Sequence, residues 1–382
     1  MFRRFKKIFF AFTKTERAIF VAASVVAFVS SVTLITAVAG EITETAPARG
    51  GEFTEGLLIQ PTYINPVIAA TETDKVLIRF IFQKIDDLAE KIESSGDGRV
   101  WKVRLKENLL WHDGQTLTSD DVIFTVQKIQ DPDSRSYLAP SWQGALSQRL
   151  SERELQFTLA VPYAFFEQSL KGLYVLPKHR FADVPVANWK ISELNLKPVG
   201  SGPYEFDSYE SEADGFITDF RLKANVRTSA LSPFISKFNF KFFRKREDLV
   251  KSFNSGWIDG LAGLEPQDLS EIQRPYEFLS FYLPNYYAIF LNQNQNIALK
   301  EIAVREALGA ALDKNELVQK IFEGRAKPAY GPLPLTVAVF DEDLPNTTSS
   351  IDYANELLDE AGWKIGKGGI REKTVKTSTI IL

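Results

Sequence analysis

One uncharged apolar segment near the N-terminus restricts where this chain can fold. Ala18 to Gly40 reads AIFVAASVVAFVSSVTLITAVAG, without a charged residue. As an α-helix it would be about 34 Å long, enough to cross a hydrocarbon core of roughly 30 Å. Six basic side chains and Glu16 precede it, whereas Glu41 and Glu44 follow it. Because basic residues stay on the cytoplasmic side, we expect the body of the chain to fold outside the cytoplasm.

The sequence leaves open whether this segment is removed. Ala37, Val38 and Ala39 match the small-residue pattern before a signal-peptidase cut, which would release a secreted chain starting at Gly40. The apolar run is longer than the usual signal-peptide core of about 7–15 residues. We therefore expect a transmembrane anchor, with a secreted form as the alternative. In both cases the body is extracytoplasmic, in the periplasm or at the cell surface.

The composition of the body excludes several classes of protein. The absence of cysteine rules out disulfides, thiolate metal sites and cysteine nucleophiles. The two histidines, His112 and His179, argue against a histidine-built metal site. The net charge is −4; residues 1–17 carry +5, which leaves −9 for the remainder. An acidic body argues against nucleic-acid binding, and no metal or cofactor is predicted.

Hydrophobic periodicity predicts a mixed α/β architecture for the first part of the body. At 382 residues the chain is long enough for two domains. Residues 41–52 are small and polar, as in a tether. Thr118 to Asp121 reads as a capping box that begins a helix. The spacing predicts strands at 53–59, 99–105, 155–161, 202–209 and 234–243, and helices at 71–82, 122–129 and 247–253.

The last third of the chain differs in character. Tyr286–Asn292 is an apolar run that predicts a buried strand. Helices are predicted at 300–312, at 313–322 with Asp313 as its cap, and at 353–361. Residues 377–382 are predicted to be the start of a strand, and no segment follows it in this sequence that could pair with it.

No arrangement typical of a catalytic site is found. The turn Gly200-Ser201-Gly202 lacks the G-x-S-x-G pattern of a nucleophile elbow. His112 beside Asp113 could be an acid–base pair, but adjacent residues on a tight turn are more often structural. Paired carboxylates such as Asp120 and Asp121 lie at helix starts or in loops, where capping and solvation explain them.

Several separated motifs occur in the order of one known family. The main ones are LKENLLWHDGQTLTSDDVIFTVQKI at 105–129, PVGSGPYEF at 198–206 and VREALGAALDKNELVQKIFEG at 304–324, with PAYGPLP at 328–334 and LLDEAGW at 357–363. Together they resemble the family 5 extracellular solute-binding proteins of peptide ABC transporters. Ser201 replaces the usual threonine, and the segment between Phe82 and Trp101 is shorter than in the family. Family members also continue past the equivalent of Leu382, so the resemblance implies a C-terminally truncated chain.

The resemblance implies an α/β fold of the two-lobed periplasmic-binding-protein type (type II), with a hinge and an incomplete second lobe. Its ligands would be extended peptides, and its partner an ABC transporter permease. The implied domains are a basic leader at 1–17, an anchor or signal segment at 18–40, a tether at 41–52, lobe one at 53–284 with a subdomain at about 76–150, and part of lobe two at 285–382. The residues expected to line the cleft are Thr71, Tyr137, Trp142, Tyr286 and Tyr287. These aromatic residues could equally be core; Asp120, Gly200 and Gly202 are assigned to structure.

Three functions follow from this reading. The first is a non-catalytic receptor that captures peptides outside the membrane. The second is a membrane-anchored interaction protein that has lost ligand exchange. The third, for which no nucleophile or metal set is found, is a hydrolase acting on cell-wall peptides.

Overall fold

The protein forms two compact units. The structure is a computed structural model that describes residues 10, 12–42, 48–227, 233–264, 266–279, 287–329, 331, 349–366, 368–375 and 378–381. The first unit comprises Met1–Arg246 with Ile258–Gly260, and the second comprises Glu247–Trp257 with Leu261–Leu382. This division falls earlier in the chain than the lobe boundary expected after residue 284.

The N-terminal apolar segment is helical. Helix α1, Lys14–Ile42, begins with reciprocal hydrogen bonds between Thr13 and Glu16. Its part Lys14–Thr36 has a mean hydropathy of 2.4, and is long and apolar enough to cross a membrane. A signal peptide and an anchor would both have this form.

The first unit alternates strands and helices. After α1 these are β1 (Gly50–Leu58), α2 (Glu72–Ile81), α3 (Ile85–Leu88), β2 (Ala89–Ser94), β3 (Val100–Leu105), α4 (Ser119–Gln130), α5 (Ala139–Trp142), β4 (Ala145–Arg149), β5 (Glu154–Leu159), α6 (Phe166–Lys171), α7 (Lys178–Phe181), β6 (Tyr204–Ser211), β7 (Ile217–Ala224) and β8 (Ile235–Phe243). The strands and helices predicted between 53 and 243 are confirmed to within a few residues.

A five-stranded sheet lies at the centre of this unit. Its order is β6-β7-β8-β1-β9, where β9 is the short strand Gly260–Leu261. β1 and β8 are parallel, while β6, β7 and β8 are antiparallel. Alternation places Phe238, Phe240 and Phe242 on one face, where all three are buried. Helix α2 covers that face through Phe80, whose ring centre lies 4.6 Å from that of Phe238.

A second sheet lies in the part of the chain where a subdomain was expected, at about 76–150. It is antiparallel, in the order β2-β3-β5-β4, and extends to residue 159 rather than ending near 150. The alternating sequence of β3 buries Trp101, Val103 and Leu105 and exposes the basic side chains between them. Helix α4 packs beside this sheet, and the carboxylate of Asp121 accepts the N–H of Thr118 at 2.9 Å, which is one half of the predicted capping box.

The described part of the second unit has a smaller core. In chain order it contains α8 (Arg246–Asn254), α9 (Ile302–Ala311), α10 (Lys314–Phe322), α11 (Ile351–Glu360), β10 (Lys364–Ile365), β11 (Arg371–Val375) and β12 (Ser378–Ile381). Val304, Leu358 and Trp363 lie in the core that α9 and α11 share. Arg371 contacts Asp359 at 2.5 Å and Lys373 contacts Glu301 at 2.8 Å, which ties the three-stranded sheet to these helices.

One prediction for the second unit is wrong. Residues 287–292 are not a strand, although the apolar run suggested one, and Tyr287, Ile289 and Phe290 are exposed. The strand predicted at the end of the chain is confirmed as β12, which forms an antiparallel pair with β11, the strand that precedes it. The helices predicted at 300–312, 313–322 and 353–361 are confirmed with small shifts.

Candidate functional site

A buried carboxylate organises the loop that joins β1 to α2. Asp74 has no exposed surface, and its two oxygens accept four backbone N–H groups. These belong to Thr62 at 2.6 Å and to Tyr63, Ala70 and Thr71, each at 2.9 Å. The carboxylate therefore fixes the loop from both ends against the first turn of α2.

Two of the predicted site residues lie beside the N-terminal half of α2. Thr71 caps the helix, and its hydroxyl accepts the N–H of Asp74 at 3.0 Å. One turn further, the ammonium of Lys75 lies 5.7 Å from the ring centre of Tyr137 and 2.7 Å from Glu72. Tyr137 is 54% exposed, and partial burial raises the pKa of its hydroxyl further above the ordinary tyrosine value. The phenol is a neutral hydrogen-bonding group at physiological pH.

Trp142 does not line a surface, and its assignment to the cleft is corrected. The side chain is 1% exposed. Its ring lies 5.4 Å from Phe157 and 5.2 Å from Phe166, in edge-to-face contacts. Burial of such a large apolar ring stabilises the subdomain, so Trp142 is a core residue.

The remaining two tyrosines belong to the second unit. Tyr286 lies outside the described residues. Tyr287 is 83% exposed, and its ring lies 5.3 Å from that of Phe322. The cleft assignments of Tyr286 and Tyr287 stay predictions.

His112 joins two of the motifs on which the family resemblance depends. It lies in the W-H-D-G turn, is 7% exposed, and accepts the N–H of Gly200 through Nδ1 at 3.2 Å. Its Nε2 lies 3.1 Å from the carbonyl oxygen of Gly202. Since Nδ1 accepts, Nε2 carries the proton and donates. The neutral imidazole thus holds the G-S-G-P turn in place, and His112 is structural as expected.

Stability should fall in acid because of His112. Burial lowers the pKa of this imidazole, although its hydrogen bond to Gly202 opposes the effect. The folded-state pKa is therefore below the unfolded value of about 6.5, so the unfolded chain takes up the proton first. We expect the free energy of unfolding to decrease as the pH falls below about 6.5, until the pH reaches the folded-state pKa.

Urea unfolding between about pH 8 and pH 5, followed by tryptophan fluorescence, measures this dependence. His112→Asn should be less stable at neutral pH and should lose this part of the acid dependence. His179→Gln is the matched control, because it removes the other histidine and leaves the two turns joined. A wild-type pH profile in the His112→Asn variant would contradict this role.

In two further polar clusters of the first unit, charged side chains contact partners of opposite charge or hydrogen-bonding partners. His179 Nε2 lies 2.7 Å from Asp113 Oδ2. Partial burial by itself would raise the pKa of Asp113, but this hydrogen bond and the N–H of Gln115 together outweigh it and hold the pKa below its usual value. A cavity of about 470 Å³ beside the four-stranded sheet contains Arg153, which contacts Glu90 and Glu107. It includes none of the predicted site residues.

The described residues contain no group of three or more potential metal ligands. Sequence reasoning missed Asp74 and Lys75 as parts of the site region. The first could have been found from the T-x-x-D pattern at 71–74, which marks a capping box. No sequence signal marks Lys75, because it lies near Tyr137 only in the folded chain and the two residues are far apart in sequence.

Comparison with known proteins identifies the relatives of this chain. The model of the bacterial extracellular solute-binding proteins, family 5, matches residues 85–382. The chain is 28% identical over 355 residues to the oligopeptide-binding protein AppA of Bacillus subtilis, covering 88% of this chain and 64% of that protein. It is 26% identical over 392 residues to protein XP55 of Streptomyces lividans, covering 97% of this chain and 68% of XP55. The chain thus spans 64% of the length of AppA and 68% of the length of XP55.

Solved structures share the fold. The substrate-binding protein CtaP of Listeria monocytogenes matches with a TM-score of 0.71 and 27% identity over 83% of this chain and 66% of that one. AppA of Bacillus subtilis, in complex with a nonapeptide, matches with a TM-score of 0.65 and 24% identity over 87% of this chain and 68% of that one. These matches confirm the predicted α/β fold of the two-lobed periplasmic-binding-protein type.

Proposed function

Because the chain belongs to the family 5 bacterial extracellular solute-binding proteins, we propose that it captures peptides outside the cytoplasm for an ABC transporter permease. The family match over residues 85–382 carries this proposal. The receptor would bind and release its ligand without chemical change.

A peptide ligand is supported by the relatives. AppA of Bacillus subtilis is an oligopeptide-binding protein, and its structure contains a nonapeptide. In this chain Thr71 and Tyr137 lie at the start of α2, where a neutral phenol and the Lys75 ammonium are available for hydrogen bonds. Extended peptides are recognised mainly through hydrogen bonds to their backbone amides. The phenol of Tyr137 and the ammonium of Lys75 can form hydrogen bonds of this kind.

We further propose that α1 stays attached as an anchor. From Ile42 to Gly50 the backbone can extend by at most about 30 Å, at 3.8 Å for each Cα–Cα step. A retained anchor would therefore keep the start of β1 within that distance of the end of α1, and so close to the membrane and to a permease.

Peptide binding is the direct test of this function. We expect the full chain, extracted from membranes in mild detergent, to retain nonapeptides from a mixed-sequence pool in native mass spectrometry. The same spectra give the intact mass, which shows whether residues 18–40 are present. A Thr71→Val, Tyr137→Ala double variant should retain the peptides at least about tenfold less well, since each lost hydrogen bond costs about 1 kcal/mol.

The control for that experiment is Leu146→Ser, a change of an exposed residue on β4 that lies apart from α2. It should leave peptide retention unchanged. If the wild-type chain retains no peptide from the pool, the proposed function is overturned, and an anchored interaction protein becomes the better hypothesis.

A further inference from the structure

Ile59 has a backbone conformation that its side chain disfavours. It directly follows β1 and has φ of 70°, in the left-handed region. That region is rare for residues with a β-branched side chain, because Cβ and its branches crowd the backbone. The side chain is also 65% exposed, so burial of its apolar surface does not compensate.

Three hydrogen bonds hold this conformation in place. The N–H of Ile59 donates to the carbonyl of Phe243 at 3.3 Å, and the hydroxyl of Thr73 donates to the carbonyl of Ile59 at 3.1 Å. The next side chain, Gln60, accepts the N–H of Ile217 at 2.5 Å. The surrounding structure thus determines the backbone here, and glycine or asparagine would fit it with less strain.

Ile59 lies where ligands bind in many α/β proteins. β1 and β8 are parallel, and Ile59 follows the carboxyl end of β1. Ligands of open α/β sheets bind outside the carboxyl ends of such strands. The Thr73 hydroxyl also places Ile59 against the first turn of α2, which begins at the predicted site residue Thr71.

The charged side chains near Ile59 at the end of β8 form ion pairs with one another. Arg244, which follows β8, contacts Glu212 at 2.9 Å and Asp214 at 2.5 Å. Its guanidinium also lies 4.0 Å from the ring centre of Phe216. Ile59 is therefore an exposed apolar side chain between a paired ionic cluster and the start of α2.

We propose that Ile59 is a ligand-contacting residue, which its strained backbone presents to an apolar side chain of the bound peptide. This inference rests on the proposed function. It names one apolar subsite at the carboxyl end of β1, beside Thr71. Contact with a peptide side chain would remove from water the apolar surface that the free protein leaves exposed.

The test measures preference for leucine at single positions of a peptide. The probes are nonapeptides of alternating serine and alanine, each with one leucine, and the parent peptide without leucine. We expect one leucine position to improve binding to the wild-type chain about tenfold, the effect of burying part of such a side chain. Ile59→Gly should abolish that preference, so that the leucine peptides bind no better than the parent peptide.

Two controls separate contact from folding. The thermal midpoint of Ile59→Gly should not fall, because relief of strain offsets the added freedom of the unfolded chain. Asn108→Gly changes another exposed residue with positive φ, 56°, and should keep the leucine preference. If the wild-type chain binds peptides and Ile59→Gly keeps the preference, the inference is wrong while the proposed function stands. If the wild-type chain binds no peptide, both fail.

Discussion

Replacing Gly200 by alanine should prevent the first unit from folding. A Cβ at this position would lie 1.9 Å from the carbonyl oxygen of Ile81 and 2.7 Å from its carbonyl carbon. Both are backbone atoms at the end of α2, so no side-chain rotation relieves the overlap. We expect a loss of about 4 kcal/mol or more in the free energy of unfolding, which is a large fraction of the stability of an ordinary domain.

The loss would involve more than one contact. Gly202 donates its N–H to the same Ile81 oxygen at 2.8 Å, and Gly200 donates to His112. Moving the turn away from α2 would break both bonds. Soluble yield and urea unfolding followed by tryptophan fluorescence measure the effect, since Trp111, Trp142 and Trp189 are buried in this unit.

Gly96→Ala is the matched control for Gly200→Ala. A Cβ at Gly96 meets nothing within 4 Å, and its φ is not positive. This substitution should change the free energy of unfolding by less than about 0.5 kcal/mol. If the two alanine variants unfold at the same urea concentration, the close approach of the G-S-G-P turn to α2 is not a constraint on folding.

Asp74→Asn should be the second most damaging of these changes. The carboxylate accepts four backbone N–H groups, whereas an asparagine amide can accept only through its single oxygen. Its NH₂ group would face N–H donors that have no other acceptor within the loop. Leaving buried, formerly charge-assisted partners unpaired costs about 3–5 kcal/mol, and we expect a loss of that size in urea unfolding.

Glu72→Gln provides the comparison. It removes one negative charge from the same helical turn, but its side chain is 81% exposed and its ion pair with Lys75 lies at the surface. Such pairs contribute about 0–1 kcal/mol. If both variants lose the same stability, the effect comes from helix-end electrostatics and not from the hydrogen bonds of Asp74. Asp74→Asn should also weaken peptide retention, because Thr71 and Ile59 adjoin the loop that Asp74 holds.

Local chemistry explains which parts of the fold could be predicted. Helix α2 begins with a capping box, and helix α4 begins with the same T-x-x-D pattern, in which Asp121 accepts the N–H of Thr118. β3 alternates apolar and basic residues, and this period alone identifies a half-buried strand. These features need only neighbours along the chain, so the sequence is enough to predict them.

The positions of side chains in and around the candidate site depend on neighbours that are distant in sequence. His112 accepts from a glycine 88 residues away, and Thr73 donates to a residue on the far side of a loop. Tryptophan is a residue type that often lines ligand clefts, but Trp142 is buried because it packs against Phe157 and Phe166. No local pattern shows that Ile59 has a positive φ, because its side chain disfavours that conformation.

The apolar run at 286–292 shows the limit of periodicity. A continuous apolar segment predicts a buried strand only if other strands are available to cover it. In the described part of the second unit, the three strands that pair are β10, β11 and β12, and they pair with one another. Tyr287 and Phe290 have their surfaces exposed instead.

The pairing of β1 with β8 also sets an order of events during synthesis and export. Gly51 and Ser236, which contact each other at the start of these strands, are 185 residues apart. The antiparallel sheet of β2 to β5 lies wholly between them, and its contacts are much closer along the chain. Contacts of short sequence separation form faster. As the chain emerges N-terminus first, the sheet of β2 to β5 can therefore form before the residues of β8 are available to pair with β1.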